Sequence, residues 1–128
     1  MKKFAFLLFS IFSLVNAYSQ STIDSGTYRY SAKGDEYYYH FNGDSLLTVT
    51  HKGDTSQIIF YTDTSKTPNH IDMKILDHEG NYIYTSLGIF ESAGRGRYRI
   101  RMSSDMINRP KTFMPYGNPE VVILVKLR

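Results

Sequence analysis

The chain contains no cysteine among its 128 residues. That absence excludes disulfide bonds, thiolate metal ligands, cysteine nucleophiles and lipid attachment through an N-terminal cysteine. Tryptophan is absent too, although aromatic residues make up 15% of the chain and 11 of them are tyrosine. There is also no Gly-x-Ser-x-Gly arrangement and no phosphate-binding loop. These absences exclude several classes of enzyme.

The first 19 residues have the pattern of a secretory signal peptide. Lys2 and Lys3 precede an apolar stretch over residues 4–15, and small residues follow it. The apolar stretch is shorter than the ~20 residues that a membrane-spanning helix needs. We therefore predict a signal peptide at 1–19 and an exported protein, periplasmic or extracellular. An uncleaved N-terminal anchor is the alternative interpretation.

Signal cleavage would change both the start and the charge of the protein. Small residues at Ala17 and Ser19 favour cleavage before Gln20, with cleavage after Ala17 as the second choice. Loss of the two early lysines lowers the formal net charge from +3 to +1. A net charge this small does not have the basic character of a nucleic-acid-binding protein. We expect no nucleic-acid partner and no membrane span after cleavage.

The rest of the sequence alternates short strands with tight turns. Turn-forming pairs such as Asn42-Gly43 and Lys52-Gly53 separate runs rich in Tyr, Ile, Val and Thr. No sustained apolar period of 3.6 residues follows the signal, so helices are not expected. The pattern predicts an antiparallel meander of eight strands, at 26–31, 36–41, 45–51, 55–62, 70–76, 82–91, 97–102 and 120–128.

Alternation within these strands predicts which side chains face the interior. In strand 97–102, apolar residues at even positions alternate with arginines at odd positions. The last strand is apolar on both faces, and such an edge invites aggregation unless it is covered on both sides or closed against the first strand. We therefore predict an all-β, about eight-stranded antiparallel up-and-down barrel. The interior, and any ligand cavity in it, should include Phe60, Met73, Ile75, Tyr98, Ile100 and Met102.

A long, proline-containing loop precedes the last strand. Residues 103–119 include Arg109-Pro110 and Met114-Pro115, together with several large apolar side chains. Long loops in small domains are commonly functional. We expect this one to fold back onto the barrel and plug one mouth.

Several short motifs occur in a characteristic order. They are Phe41-x-Gly43-Asp44-x-Leu46, Thr64-Ser65-Lys66-x-Pro68-x-x-Ile71-Asp72, Gly88-Ile89-Phe90-Glu91, Arg109-Pro110-x-x-Phe113 and a terminal run ending Lys126-Leu127-Arg128. This series resembles a family of small exported bacterial domains of unknown function that are described as lipocalin-like. The resemblance covers about residues 26–128 and implies that the mature domain, residues 20–128, is a calycin-type β-barrel; it brings no agreed substrate or catalytic residue. By analogy with lipocalin-like barrels, Arg109 or Arg128 should close the barrel by stacking on Tyr28 of the first strand.

The remaining constellations favour a binding protein over an enzyme. The four histidines have no ligand spacing, and no two carboxylates are placed together, so we expect no metal, no cofactor and no catalytic residue. The leading hypothesis is a non-enzymatic barrel that binds a small apolar or amphipathic, lipid-like ligand at one mouth. The alternative is an envelope protein-interaction or inhibitor-type module, with a filled barrel, that uses its outer surface to bind a protein or an acidic partner. For that alternative, the candidate residues are the arginine stripe Arg97, Arg99 and Arg101.

Overall fold

Eight strands make up the regular structure of residues 23–115 and 117–127, the part of the chain that this computed structural model describes. They are β1 (Gly26–Ala32), β2 (Asp35–Asn42), β3 (Leu46–His51), β4 (Asp54–Asp63), β5 (Asn69–Leu76), β6 (Tyr82–Ser92), β7 (Arg97–Met102) and β8 (Val121–Lys126). The eight predicted strands are confirmed, with small differences at their ends. The predicted signal peptide lies outside the described residues. Within the described ranges, no helix is long and apolar enough to cross a membrane.

The strands form a closed antiparallel barrel with up-and-down connectivity. Each strand pairs with the next along the chain, and β8 pairs with β1. This architecture confirms the fold class expected from the sequence. The closing ladder is short, because it holds only the pairs Tyr28↔Lys126 and Arg29↔Val125. The seam between β1 and β8 is therefore the least tightly paired junction of the barrel.

The core forms because inward-facing positions carry large apolar side chains. The rings of Tyr28 and Phe41 meet edge to face at 5.5 Å between centroids, and Phe41 meets Phe60 in the same way at 5.2 Å. Edge-to-face contacts of this kind add to the free energy gained from burial. On β6, Gly88 lets two strands approach, because a Cβ there would come within 2.8 Å of the Arg101 carbonyl oxygen.

The two ends of the barrel differ. One end holds the β1–β2, β3–β4 and β5–β6 turns and the long β7–β8 connection; we call it the loop end. The other end holds the β2–β3, β4–β5 and β6–β7 turns and the residues that precede β1; we call it the N-terminal end.

Candidate functional site

The N-terminal end of the barrel is closed by the segment that precedes β1. Ile23 is 2% exposed and belongs to the core cluster. The Tyr28 hydroxyl donates to the Asp24 carbonyl oxygen at 2.8 Å, and the Asp24 N–H donates to the Tyr98 hydroxyl oxygen at 3.3 Å. Burial, followed by the charges of neighbouring groups, raises the pKa of Tyr28. A ligand therefore has no open route into the barrel past Ile23.

The centre of the barrel is filled by side chains. Three of the six predicted interior residues, Phe60, Met73 and Ile100, are buried in the core cluster. The other three, Ile75, Tyr98 and Met102, are partly buried and pack against that cluster. All six thus face the interior, as alternation indicates. Because these side chains pack on one another, room for a ligand has to be sought toward the loop end.

A layer of aromatic rings lies between the core and the loop end. Tyr30 stacks on Tyr37 at 5.7 Å between centroids, and Tyr37 stacks on the imidazole of His51 at 4.1 Å. Tyr39 packs against the core beside them. Burial, with smaller contributions from Tyr30 and Tyr37, raises the pKa of Tyr39 to about 12. The Tyr39 phenol is therefore neutral at ordinary pH.

A cleft opens where β1 and β8 separate. Next to the two register pairs, the Leu127 N–H donates to the Thr27 carbonyl oxygen at 2.8 Å. Beyond Arg29 and Val125, toward the loop end, the two strands have no ladder between them. The space between them is a cleft of about 520 Å³. It is the clearest candidate for a binding site because it opens at the end that Ile23 does not close.

Main-chain groups line this cleft as well as side chains. The Lys126 N–H points to β7, where it donates to the Gly96 carbonyl oxygen at 2.8 Å. Because alternate residues of a strand direct their main-chain groups to the same side, those of Ile123 point toward β1. By the same alternation from Arg29, the main-chain groups of Ser31 point toward β8. The cleft thus offers main-chain hydrogen-bonding groups from both strands in addition to the side chains that line it.

The walls of the cleft are mainly apolar. Apolar side chains come from the end of β1, from β8 and from the β7–β8 connection, and the polar side chains are those of Ser31, Lys33, Arg99 and Asn118. The lining residues are Tyr30, Ser31, Ala32, Lys33, Arg99, Phe113, Gly117, Asn118, Pro119, Val121 and Ile123. A mostly apolar concavity with a few polar groups is the usual form of a small-molecule site.

Phe113 forms one wall of the cleft from the long connection. Its side chain is 8% exposed, and the guanidinium carbon of Arg99 lies 5.9 Å from its ring centroid. Arg99 also forms an ion pair with Glu91. Since Arg99 lies on the outer face of β7, this part of the connection runs along the outside of the barrel. The expectation that it plugs a mouth is wrong, because its anchoring partners are outward-facing arginines.

Arg101 is the second of these anchors. It donates from Nη1 to the carbonyl oxygens of Thr112 and Met114, at 2.8 and 3.2 Å, and its Nη2 lies 3.1 Å from a carboxylate oxygen of Glu120. The arginine stripe therefore does face outward, but two of its three members hold the chain's own groups. Arg97 is exposed and forms no ion pair within the described ranges. This pairing weakens the hypothesis of a surface site for an acidic partner.

Arg109 is placed differently from the prediction. Its Nη2 lies 2.6 Å from Oδ1 of Asp72, and its Nη1 donates to the carbonyl oxygens of Gly88 and Ile71, at 2.7 and 3.3 Å. The stack on Tyr28 is therefore wrong for Arg109. The connection carries this arginine to β5 and β6, whereas Tyr28 on β1 is fully buried among other aromatic rings. Arg128, the other arginine considered, lies outside the described residues.

A second cavity also opens at the loop end. It measures about 460 Å³ and lies between the start of β4 and the β5–β6 turn. Among the predicted ligand residues, Ile75 lines this cavity, beside Ser56, Asp77 and His78. Its lining is more polar than that of the β1–β8 cleft. These two cavities therefore both lie at the loop end.

Titratable groups do not gather into a metal site in the described ranges. There, no group of three or more His, Asp or Glu side chains is arranged to hold a metal ion. A small cavity of about 180 Å³ brings Asp63, His70 and Asp72 near Arg109 on the outer face. Arg109 is committed there to Asp72 and to main-chain oxygens, so this cluster serves to fix the connection.

Of the residues that line the cleft, Arg99 alone is among the site residues predicted from the sequence, and Lys33 and Val121 are two of the others. Lys33 lies in the turn between β1 and β2, before Gly34 and Asp35, and it adopts the left-handed conformation that such a turn needs, with φ 50°. Val121 was assigned to an apolar strand that needs cover on both sides. The apolar residues on both faces of this strand were the signal that could have identified the cleft, because the outward-facing side chains of β8 form one of its walls.

Comparison of the chain with protein-family models, with curated proteins and with solved structures finds no match.

Proposed function

We propose that this protein is an exported, non-enzymatic, lipocalin-like barrel that binds a small amphipathic molecule in the cleft between β1 and β8. The observation that supports this most strongly is the cleft of about 520 Å³, with mainly apolar walls, at the end of the barrel left open by Ile23. The site differs from the one expected inside the barrel, since Phe60 and its neighbours fill the centre.

The walls of the cleft favour a ligand with a hydrocarbon chain. Phe113, Val121 and Ile123 offer apolar surface, and each methylene group buried there contributes about 0.8 kcal/mol. A sugar is disfavoured because its hydroxyl groups would lose water without enough partners. The ligand class is therefore a single-chain amphipath.

The charge at the rim favours an anionic head group. Lys33 lines the cleft and forms no ion pair within the described ranges. Arg99, the other cation of the lining, is already paired with Glu91. An anionic head at the rim would meet Lys33 while its chain lies between β1 and β8.

Two lysines in equivalent turns provide a matched test of this arrangement. Lys33 and Lys52 each precede Gly-Asp in a hairpin turn, with φ values of 50° and 51°, and asparagine tolerates that conformation. Lys33 lines the cleft, whereas Lys52 pairs with Asp35 at 3.2 Å. The probes are dodecanoate and dodecan-1-ol, which displace a fluorescent fatty acid from the protein. The dissociation constant for dodecanoate should rise about three- to tenfold in Lys33→Asn and stay unchanged in Lys52→Asn.

The alcohol should bind both variants like the wild type because it carries no charge. A second pair of variants tests the walls: Ile123→Asp should abolish binding of both probes, and Leu46→Asp should leave it intact. Ile123 and Leu46 are similarly exposed, at 47% and 52%, but Ile123 alone of the two lines the cleft. Absence of binding to the wild type, or equal effects within either pair, would contradict the proposal.

A further inference from the structure

The connection between β7 and β8 reaches the cleft with little main-chain support. From Ser104 to Gly117, no main-chain hydrogen bond among the described residues joins it to a strand. It is attached to the sheet by side chains instead, through Arg99 and Arg101 of β7 and through its own Arg109. Individual side chains therefore determine where this stretch lies.

Phe113 is the part of this stretch that enters the cleft wall as a buried ring. Its side chain is buried, whereas those of Thr112 and Met114 on either side are exposed. The guanidinium carbon of Arg99 lies 5.9 Å from the ring centroid. Holding one ring of an exposed stretch in a fixed place opposes conformational entropy, so the wall needs a contact that fixes the main chain as well.

Arg101 supplies that contact. Its Nη1 donates to the carbonyl oxygens of Thr112 and Met114, the residues on either side of Phe113, at 2.8 and 3.2 Å. Its Nε and Nη2 donate to one carboxylate oxygen of Glu120, at 3.3 and 3.1 Å. Glu120 comes directly before β8, which forms another wall of the cleft. One guanidinium therefore holds both the chain around Phe113 and the start of β8.

The contacts of Arg101 depend on the shape of its head group. A planar guanidinium directs its N–H groups in fixed directions, whereas a lysine ammonium is a compact point charge. Arg97 lies on the same face of β7, but it is exposed and forms no ion pair within the described ranges. The two arginines therefore share a face and differ in what they hold, so Arg97 is a matched control.

We propose that Arg101 is a positioning residue of the binding site, which clamps Phe113 as a wall of the cleft. The effect on a ligand rests on the proposed function, but the position of Phe113 can be tested without one. Because the clamp orders this stretch in advance, binding does not have to order it, and such preorganisation increases affinity. Phe113 faces the hydrocarbon chain of the ligand, whereas Lys33 faces its head group. Loss of Arg101 should therefore weaken charged and uncharged ligands by the same factor.

The position of Phe113 can be followed with a single fluorophore because the chain contains no tryptophan. Phe113→Trp places an indole in the cleft wall, and quenching of its fluorescence by acrylamide reports how exposed it is. Adding Arg101→Gln should raise the quenching constant about two- to fourfold, since the stretch is then free to open locally. Adding Arg97→Gln, which removes the same charge from the same face, should leave the quenching constant unchanged.

A second measurement avoids the tryptophan. The ring resonances of Phe113 in the otherwise unaltered protein should move toward those of an exposed phenylalanine in Arg101→Gln and stay in place in Arg97→Gln. Circular dichroism and the melting temperature establish that each variant is folded.

Binding of dodecanoate and dodecan-1-ol tests the consequence for the site. Arg101→Gln should raise both dissociation constants about three- to tenfold, and Arg97→Gln should change neither. Arg101→Lys should fall between the wild type and Arg101→Gln, because it keeps the charge and lacks the planar fork. In a Phe113→Ala background, Arg101→Gln should have little further effect, since the ring that the clamp holds is already absent.

Several results would overturn the proposal. One is a quenching constant that Arg101→Gln leaves unchanged, or that Arg97→Gln raises equally. Another is an effect of Arg101→Gln that is confined to dodecanoate, or that persists in full in the Phe113→Ala background. A wild type that binds neither probe would overturn the proposed function, whereas the quenching and the ring resonances would still decide whether Arg101 clamps Phe113.

Discussion

Arg109 and Asp72 form an ion pair, with Nη2 and Oδ1 2.6 Å apart, that ties the β7–β8 connection to β5. The same guanidinium donates to main-chain oxygens of Gly88 and Ile71. One side chain therefore holds the connection to two strands. This attachment fixes the path of the chain that carries Phe113 into the cleft wall.

Replacing Arg109 should therefore destabilise the barrel. Arg109→Ala should lower the free energy of unfolding by about 1–3 kcal/mol, because it leaves Asp72 and two carbonyl oxygens without their donor. Arg109→Lys should recover less than half of this, since an ammonium group lacks the planar fork of a guanidinium. Equilibrium urea denaturation measures both. Arg97→Ala is the control, with an expected change within about 0.5 kcal/mol; equal midpoints for Arg97→Ala and Arg109→Ala would contradict this role.

The closure of the N-terminal end depends on Ile23. Ile23→Ala should cost about 2–4 kcal/mol of unfolding free energy, because it leaves a cavity in a core position that is 2% exposed. Ile107→Ala removes the same atoms from a position that is 77% exposed, and it should have almost no effect. Thermal and urea denaturation of the two variants can be compared directly. A small effect at Ile23 would show that the segment before β1 is not part of the core.

Alkaline pH should destabilise the fold through Tyr39. Its folded-state pKa is raised by burial to about 12 from an ordinary value of 10.0, so folding favours the neutral phenol. This contribution is complete below pH 10 and is lost as the pH rises toward about 12. Tyr39→Phe should reduce the fall in melting temperature between those two pH values, with Tyr28 accounting for part of what remains. Tyr61→Phe, at a position 56% exposed, should leave the profile unchanged; a matching change there would rule out the assignment to Tyr39.

Export can be tested on the protein made by its own host. The two lysines, the apolar stretch at 4–15 and the small residues before Gln20 predict a mature chain that starts at Gln20 or, second, at Tyr18. Mass spectrometry of the intact protein and of its N-terminal peptide identifies the start. An intact Met1 in a cytoplasmic fraction would contradict the prediction and would reopen nucleic acid as a partner.

Local patterns in the sequence were sufficient to predict the strands and the inward-facing side chains. Alternation along Arg97–Met102 identifies Ile100 as a core residue, because each strand has one buried face. The position of Arg109 was not predictable in the same way, since it depends on the path of a long connection. The cleft depends on where the β1–β8 ladder ends, which is a matter of register between the two strands most distant in sequence. The apolar residues on both faces of β8 indicated that both faces are covered, but they did not indicate which part of the chain covers them.

The most direct test of the proposed function is to determine where on the barrel a ligand binds. Amide resonances of isotope-labelled protein, followed by nuclear magnetic resonance during a titration with dodecanoate, report which part of the barrel responds. The largest shifts should fall on Ser31, Lys33 and Ile123, which line the cleft between β1 and β8. Saturation of these shifts at a single dissociation constant would support one site there. A titration that leaves these three amides unmoved, or that shifts Phe60, Met73 and Ile100 most, would contradict the central claim.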